Sequence, residues 1–136
     1  MFLQLFKFSI KTTKREQFVP ITEKIKKFVK ESEAKVGSVK IFIPHTTAGV
    51  TINENSDPDV RRDFQTILNE IVPHQRRFLH SEGNSDSHFK SSLIGTFIEV
   101  PIEKGEVDLG QMQGIFFCEF DGPRTRTVKL QILAEK

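Results

Sequence analysis

The chain has 136 residues, with 20 Lys and Arg against 18 Asp and Glu and a formal charge of +2, a balance that excludes the broad electrostatic footprint of a nucleic-acid binder. That length fits one domain over residues 1–136, and the single cysteine, Cys118, offers no intramolecular bridge, so a reducing, cytoplasmic location is the simplest reading. No apolar run approaches the roughly 20 residues of a membrane span, and Met1 to Phe8 is too short and too alternating for a signal peptide, so a soluble protein without membrane attachment is expected.

Residues 2–10 carry apolar side chains on both faces and predict a strand covered on two sides or lying at an oligomer contact. A loop over 11–16 follows. Ile21, Ile25, Phe28 and Val29 then recur at helical spacing over residues 22–34, with Thr22 as the N-cap, and Lys24, Lys26, Lys27 and Lys30 read as the solvated face. Gly37 ends that connection. Val39-Lys40-Ile41-Phe42-Ile43 alternates with period two, a half-buried strand, and Val50-Thr51-Ile52 continues as extended chain. Asp57 caps the next helix, Pro58 takes its first position, Val60, Phe64, Ile67, Leu68 and Ile71 make its apolar stripe, and Pro73 stops it. Residues 74–85 read as loop, and 87–94 as a short helix with Asp86 as cap and Gly95 as terminator. Strands follow over 96–100, 107–109, 115–120 and 124–133, the last two joined by a turn at Asp121-Gly122-Pro123. Helices inserted among a majority of strands, without steady β-α alternation, define an α+β fold, and thirteen phenylalanines supply its core.

Chemistry-bearing residues concentrate at the ends of these elements. His45 opens a polar stretch that runs through Thr46, Thr47, Asn53, Glu54 and Asn55 to Asp57, between a strand and a helix start. His80, Glu82, Asp86 and His88 fall within nine residues. Neutral imidazole binds zinc and similar ions, and a nearby carboxylate orients the ring or completes the shell, so His45, His80 and His88 are candidate ligands, although the spacing matches no standard zinc module. His74, beside Pro73, reads as a capping or surface residue. Asp86 reads both as a helix cap and as a carboxylate that binds a metal or transfers a proton. Lys90, Ser91 and Ser92 at a helix start, joined by an arginine, would suit a phosphate. Arg124 and Arg126 alternate on one strand face, either an exposed stripe or a subunit contact. Cys118 reads as a small buried hydrophobe. Glu119, in so apolar a strand, requires a partner, for which a metal, an arginine or a histidine would serve.

Taken together, these segments resemble the YjbQ-like family of small uncharacterised proteins, associated with a secondary thiamine-phosphate synthase activity. The resemblance rests on His45-Thr46-Thr47-Ala48 with Thr51 to Asn55 and Asp57-Pro58, on Glu82-Gly83-Asn84 with His88 to Gly95, and on Gln113-Gly114-Ile115 with Glu119 to Arg124. It implies a single compact domain with a mainly antiparallel β-sandwich or barrel-like core, two to three helices and assembly as a homotrimer. It also implies a site near subunit contacts, with the family's histidines matching His45 and His88 and its aspartate matching Asp86. Two positions depart from the family pattern, which usually has a tryptophan where Met112 stands and in some members a basic residue or histidine where Phe120 stands.

The associated reaction joins a pyrimidine methyl pyrophosphate to a thiazole phosphate and releases pyrophosphate, which requires charge stabilisation on the leaving diphosphate and exclusion of water. The expectation is an enzyme acting on a phosphorylated small molecule. His45, Asp86 and His88 would be catalytic, Thr46, Thr47, Lys90, Ser91 and Arg124 would hold the phosphate, and a divalent metal, zinc or magnesium, would draw on His45, His80, His88 and Glu119. The alternative is a non-catalytic homotrimeric module in which those residues hold a metal or anion.

Overall fold

Ile115-Phe116-Phe117-Cys118 shows no alternation of polar and apolar residues because the strand it forms is covered on both faces. The computed structural model describes residues 1–74 and 78–136, so the 75–77 part of the expected loop lies outside the described residues. The elements run β1 (Phe2–Lys11), β2 (Gln17–Pro20), α1 (Thr22–Ser32), β3 (Val36–Phe42), β4 (Ala48–Glu54), α2 (Pro58–Ile71), α3 (Ser85–Ile94), β5 (Phe97–Glu103), β6 (Glu106–Val107), β7 (Gln113–Glu119) and β8 (Thr125–Glu135). They form two antiparallel sheets, ordered β1-β8-β3-β5-β6 and β2-β7-β4. With three helices among the described residues, this is the expected single α+β domain.

Side chains alternating along the strands build the core between the sheets. Ile10, Val39, Ile41, Val100, Val128, Leu130 and Ile132 of the five-stranded sheet meet Val50, Ile115 and Phe117 of the three-stranded one. Helix α1 adds Ile25 and Val29, and its Phe28 packs against Phe6 and Phe8 at ring-centroid distances of 4.8 and 5.6 Å. On the far side of the small sheet, Phe18, Phe116, Cys118 and Phe120 pack against Phe64 and Leu68 of α2 and Ile94 of α3. Strand β7 is therefore the middle layer. Burial pushes the Cys118 thiol pKa well above its ordinary value, in keeping with its role as a small hydrophobe.

Several boundaries differ from the sequence reading for local reasons. Ile21, not Thr22, precedes the first turn of α1, and the Thr22 hydroxyl instead accepts from the Ile115 N–H at 2.9 Å, joining helix to sheet. Gly37 lies inside β3, where a Cβ would come within 2.2 Å of the Leu133 carbonyl oxygen. The short strand β2, ending in Pro20, had too few residues to show a period. Asp57 caps α2 as expected, accepting from the Asp59 N–H at 2.9 Å. Asp86 does not cap α3: Asn84 holds that position and Asp86 falls in the first turn, buried.

Candidate functional site

The loop that leaves β3 carries His45 to the start of β8, where the Thr127 N–H donates to Nε2 at 2.9 Å. A ring nitrogen that accepts has no hydrogen of its own, so the neutral imidazole holds its hydrogen on Nδ1. Burial, and after it the Arg126 charge, lowers the His45 pKa below its ordinary 6.5. At neutral pH His45 is a fixed, uncharged Nδ1–H donor.

Two residues further on, Thr47 is tied down by Arg126, whose Nη2 donates to the threonine hydroxyl at 2.8 Å and to its carbonyl oxygen at 3.2 Å. Arg126 also provides the partner that Glu119 required. Its Nε lies 2.9 and 3.1 Å from the two carboxylate oxygens, and its Nη2 donates to Oε2. The Thr12 hydroxyl donates to Oε1 at 2.7 Å and the Asp121 N–H to Oε2 at 3.2 Å, so Glu119 is saturated by protein donors. Arg126 is thus buried, not part of an exposed stripe.

His45, Thr46 and Thr47 form one wall of a hollow of about 490 Å³. His80, Glu82, Asn84, His88 and Arg124 complete it. The His80 and His88 rings meet edge to face with centroids 5.4 Å apart, and His80 Nε2 lies 3.9 Å from Glu82 Oε2. Arg124 is held by Asp121, donating from Nη2 to its carboxylate at 2.7 Å and from Nε to its carbonyl at 2.8 Å. Asn84 Nδ2 donates to the same Asp121 carboxylate at 2.8 Å, while its buried Oδ1 has no hydrogen-bond partner among the described residues.

The other expected residues go elsewhere. Lys90 is fully buried, donating to Asn69 Oδ1 at 2.6 Å and Glu16 Oε1 at 3.1 Å, which places it away from any phosphate in this hollow. The Ser91 hydroxyl donates to the Ala48 carbonyl at 2.7 Å and fastens α3 to β4. Asp86 accepts from Arg15 Nη2 at 3.2 and 3.3 Å and lies 3.0 Å from His74 Nδ1 and 3.5 Å from Lys90 Nζ. Burial raises its pKa, but His74, Arg15 and Lys90 more than offset that, so it is held below the ordinary 3.8. This cluster borders a second hollow, of about 570 Å³, lined by Arg15 and His74 and sharing His80, Glu82 and Asn84 with the first. Arg15, Glu16 and His74 were missed as members of a site; only the adjacency of unlike charges at Arg15-Glu16 marked that loop.

A divalent metal does not fit the residues as they stand. Among the described residues no three His, Cys, Asp or Glu side chains gather to hold an ion. Glu119 is saturated, and the tautomer of His45 leaves no lone pair on Nδ1.

Two antiparallel sheets packed around a doubly covered central strand, with a histidine-lined hollow where the two sheets' strand ends meet α3, define a small α+β domain with a polar surface site. The chain belongs to the YjbQ-like UPF0047 family, whose model, described as UPF0047 protein YjbQ-like, matches residues 6–135. A UPF0047 protein of Methanocaldococcus jannaschii is 50% identical over 132 residues, covering 97% of this chain and 96% of the relative. The UPF0047 protein YugU of Bacillus subtilis is 46% identical over 125 residues, covering 91% and 95%. A crystal structure of an uncharacterised conserved protein of the family from Clostridium acetobutylicum superposes with a TM-score of 0.92 at 48% identity, covering 94% of this chain and 99% of that one. A protein of unknown function from Sulfolobus solfataricus gives 0.94 at 28% identity, covering 98% of each.

Proposed function

We propose that the hollow between His45 and His88 binds the anionic group of a phosphorylated small molecule and that the chain is an enzyme acting on it, with thiamine-phosphate synthase-type displacement of pyrophosphate as a secondary activity. The observation that carries this reading is the donor fixed at His45: its Nε2 is occupied by the Thr127 N–H, so Nδ1–H is left to donate. Arg124 and the Thr46 hydroxyl lie in the same hollow and add donors of the kind that phosphate accepts. In this reading His88, which lines the same hollow, moves a proton to or from a leaving oxygen. Cytoplasmic location belongs to the same reading, and among the described residues no helix is long and apolar enough to cross a membrane.

Titration calorimetry of the full chain with inorganic pyrophosphate tests it. His45→Ala and Arg124→Ala should each weaken binding about 10- to 100-fold, the range expected for a hydrogen bond to a charged group. Equal binding by wild type and both variants, or none by wild type, would remove the anion site.

A second reading is favoured by the His80–His88 contact. In a homotrimer, groups from a neighbouring chain would complete a zinc shell on that pair, making the domain a metal- or anion-binding module without catalysis. Chelation that lowers the melting temperature or dissociates the assembly while ligand turnover persists would favour this reading over the first.

A further inference from the structure

We propose that His74, backed by the buried carboxylate of Asp86, is a proton acceptor serving the second hollow, and so a catalytic group beyond the His45 and His88 pair. The Asp86 side chain is fully buried and lies 3.0 Å from His74 Nδ1, whereas the His74 side chain is 47% exposed. A carboxylate behind one ring nitrogen fixes the tautomer and turns the other nitrogen's lone pair outward. Here that nitrogen is Nε2.

Arg15 competes for the same atom, since its Nη2 is 2.9 Å from His74 Nδ1. Its two hydrogens have other acceptors. One is the Asp86 carboxylate, at 3.2 and 3.3 Å, and the other is the Ser87 hydroxyl at 3.1 Å, whose own hydrogen goes to the Phe120 carbonyl at 2.6 Å. Nδ1–H donating to Asp86 therefore leaves every group satisfied, and Nδ1 accepting from Arg15 would set its lone pair against a carboxylate oxygen. Charge agrees: Asp86 and Glu16 are matched by Arg15 and Lys90, so the four charges of the cluster balance without the imidazole.

The substrate class rests on the phosphate reading of the first hollow. The two hollows share His80, Glu82 and Asn84, so a molecule anchored by its phosphate at His45 extends past Asn84 toward His74. Asn84 is 7% exposed and its Oδ1 lacks a partner among the described residues, which suits an N–H or O–H of a ligand spanning that junction. In the step assigned to His74, Nε2 takes a proton from a hydroxyl of that molecule or from water. The O–H bond breaks with its electron pair left on oxygen and an N–H bond forms; that oxygen then bonds to an electrophilic carbon or phosphorus of the bound molecule, the bond from that atom to its leaving oxygen breaks with the pair on the leaving oxygen, and the imidazolium returns its proton there.

Nitrogen-15 NMR of the full chain at neutral pH reads the tautomer directly. His74 should be in the Nδ1–H form; the Nε2–H form would mean that Arg15 holds Nδ1 and would overturn the proposal. Diethyl pyrocarbonate followed by mass spectrometry then reads the lone pair, whose attack on the reagent's carbonyl carbon expels ethyl carbonate. His74 should be acylated at least about tenfold faster than His45, and Asp86→Asn should slow His74 by about tenfold or more, as loss of a group supporting an imidazole does. Equal rates at the two histidines would also overturn it. If His74 shows the expected tautomer and reactivity while wild type binds no pyrophosphate, the base stands and the phosphate reading falls.

Discussion

Arg126 lies on the inward side of β8, in line with Val128, Leu130 and Ile132, where an unpaired guanidinium would be costly. Its pairing with Glu119 resolves two problems at once, because each residue is the buried charge that the other needs, and the leftover donor pins Thr47 beside His45. Removing either partner alone, as Glu119→Leu or Arg126→Met, should cost about 3–5 kcal/mol in denaturant unfolding, while the double Glu119→Leu, Arg126→Met replacement should cost much less than the sum. Additive losses in that cycle would mean the pair is not coupled. His45 supplies a pH dependence of definite sign. Its folded-state pKa is lowered, so its contribution to stability is complete above 6.5 and is lost as pH falls through the folded value. His45→Gln should flatten the acid side of the stability profile between these two values; an unchanged profile would remove His45 as its source.

At the scale of elements, the three helices are held in different ways. Helix α2 has a side-chain cap at Asp57 and Pro58 in its first turn, so Asp57→Ala should lower stability by about 1 kcal/mol on thermal unfolding. No change would show that the cap bond is replaced by water. Helix α3 has no side-chain cap bond and instead depends on its seat against β4, through the Ser91 hydroxyl on Ala48 and the Gly95 carbonyl on the Val50 N–H at 3.0 Å. Gly49 makes that seat close, since a Cβ there would lie 2.6 Å from the Gly95 oxygen. The position of α3 matters because it carries His88 into the first hollow on one side and Asp86 with Lys90 into the ion cluster on the other.

At the scale of the whole molecule, the five-stranded sheet leaves large apolar side chains uncovered on its outer face. Leu5, Phe42 and Phe97 line a hollow of about 650 Å³ there together with Lys7, Lys40 and Lys129. Single exposed apolar residues are ordinary; in the homotrimeric part of the proposed reading this face is where a neighbouring chain packs. A double Leu5→Glu, Phe97→Glu variant should reduce the mass measured by light scattering from that of a trimer to that of a monomer without changing the strand content seen by circular dichroism. A monomeric wild type would end the trimer reading.

Local pattern by itself determined a good deal here. The alternation of Val39 to Ile43 and of Arg124 to Leu133, the stripe of α2 with its Asp57-Pro58 start, and the α+β class are set by interactions within a few residues, so a linear reading captures them. The demand of Glu119 for a partner was equally legible, because a carboxylate in an apolar strand cannot remain alone. Which partner answered was decided by the β7–β8 turn and by both strands' register, which bring Arg126 rather than a metal to it. Tertiary structure also divided the histidines and carboxylates. His45, His80 and His88 share one hollow, whereas Asp86, only two residues from His88, turns with the helix into the ion cluster of Arg15, Glu16, His74 and Lys90. Helical geometry separates neighbours in sequence and long-range packing joins strangers, so His74 and Arg15 acquired their roles only when the chain closed around Asp86.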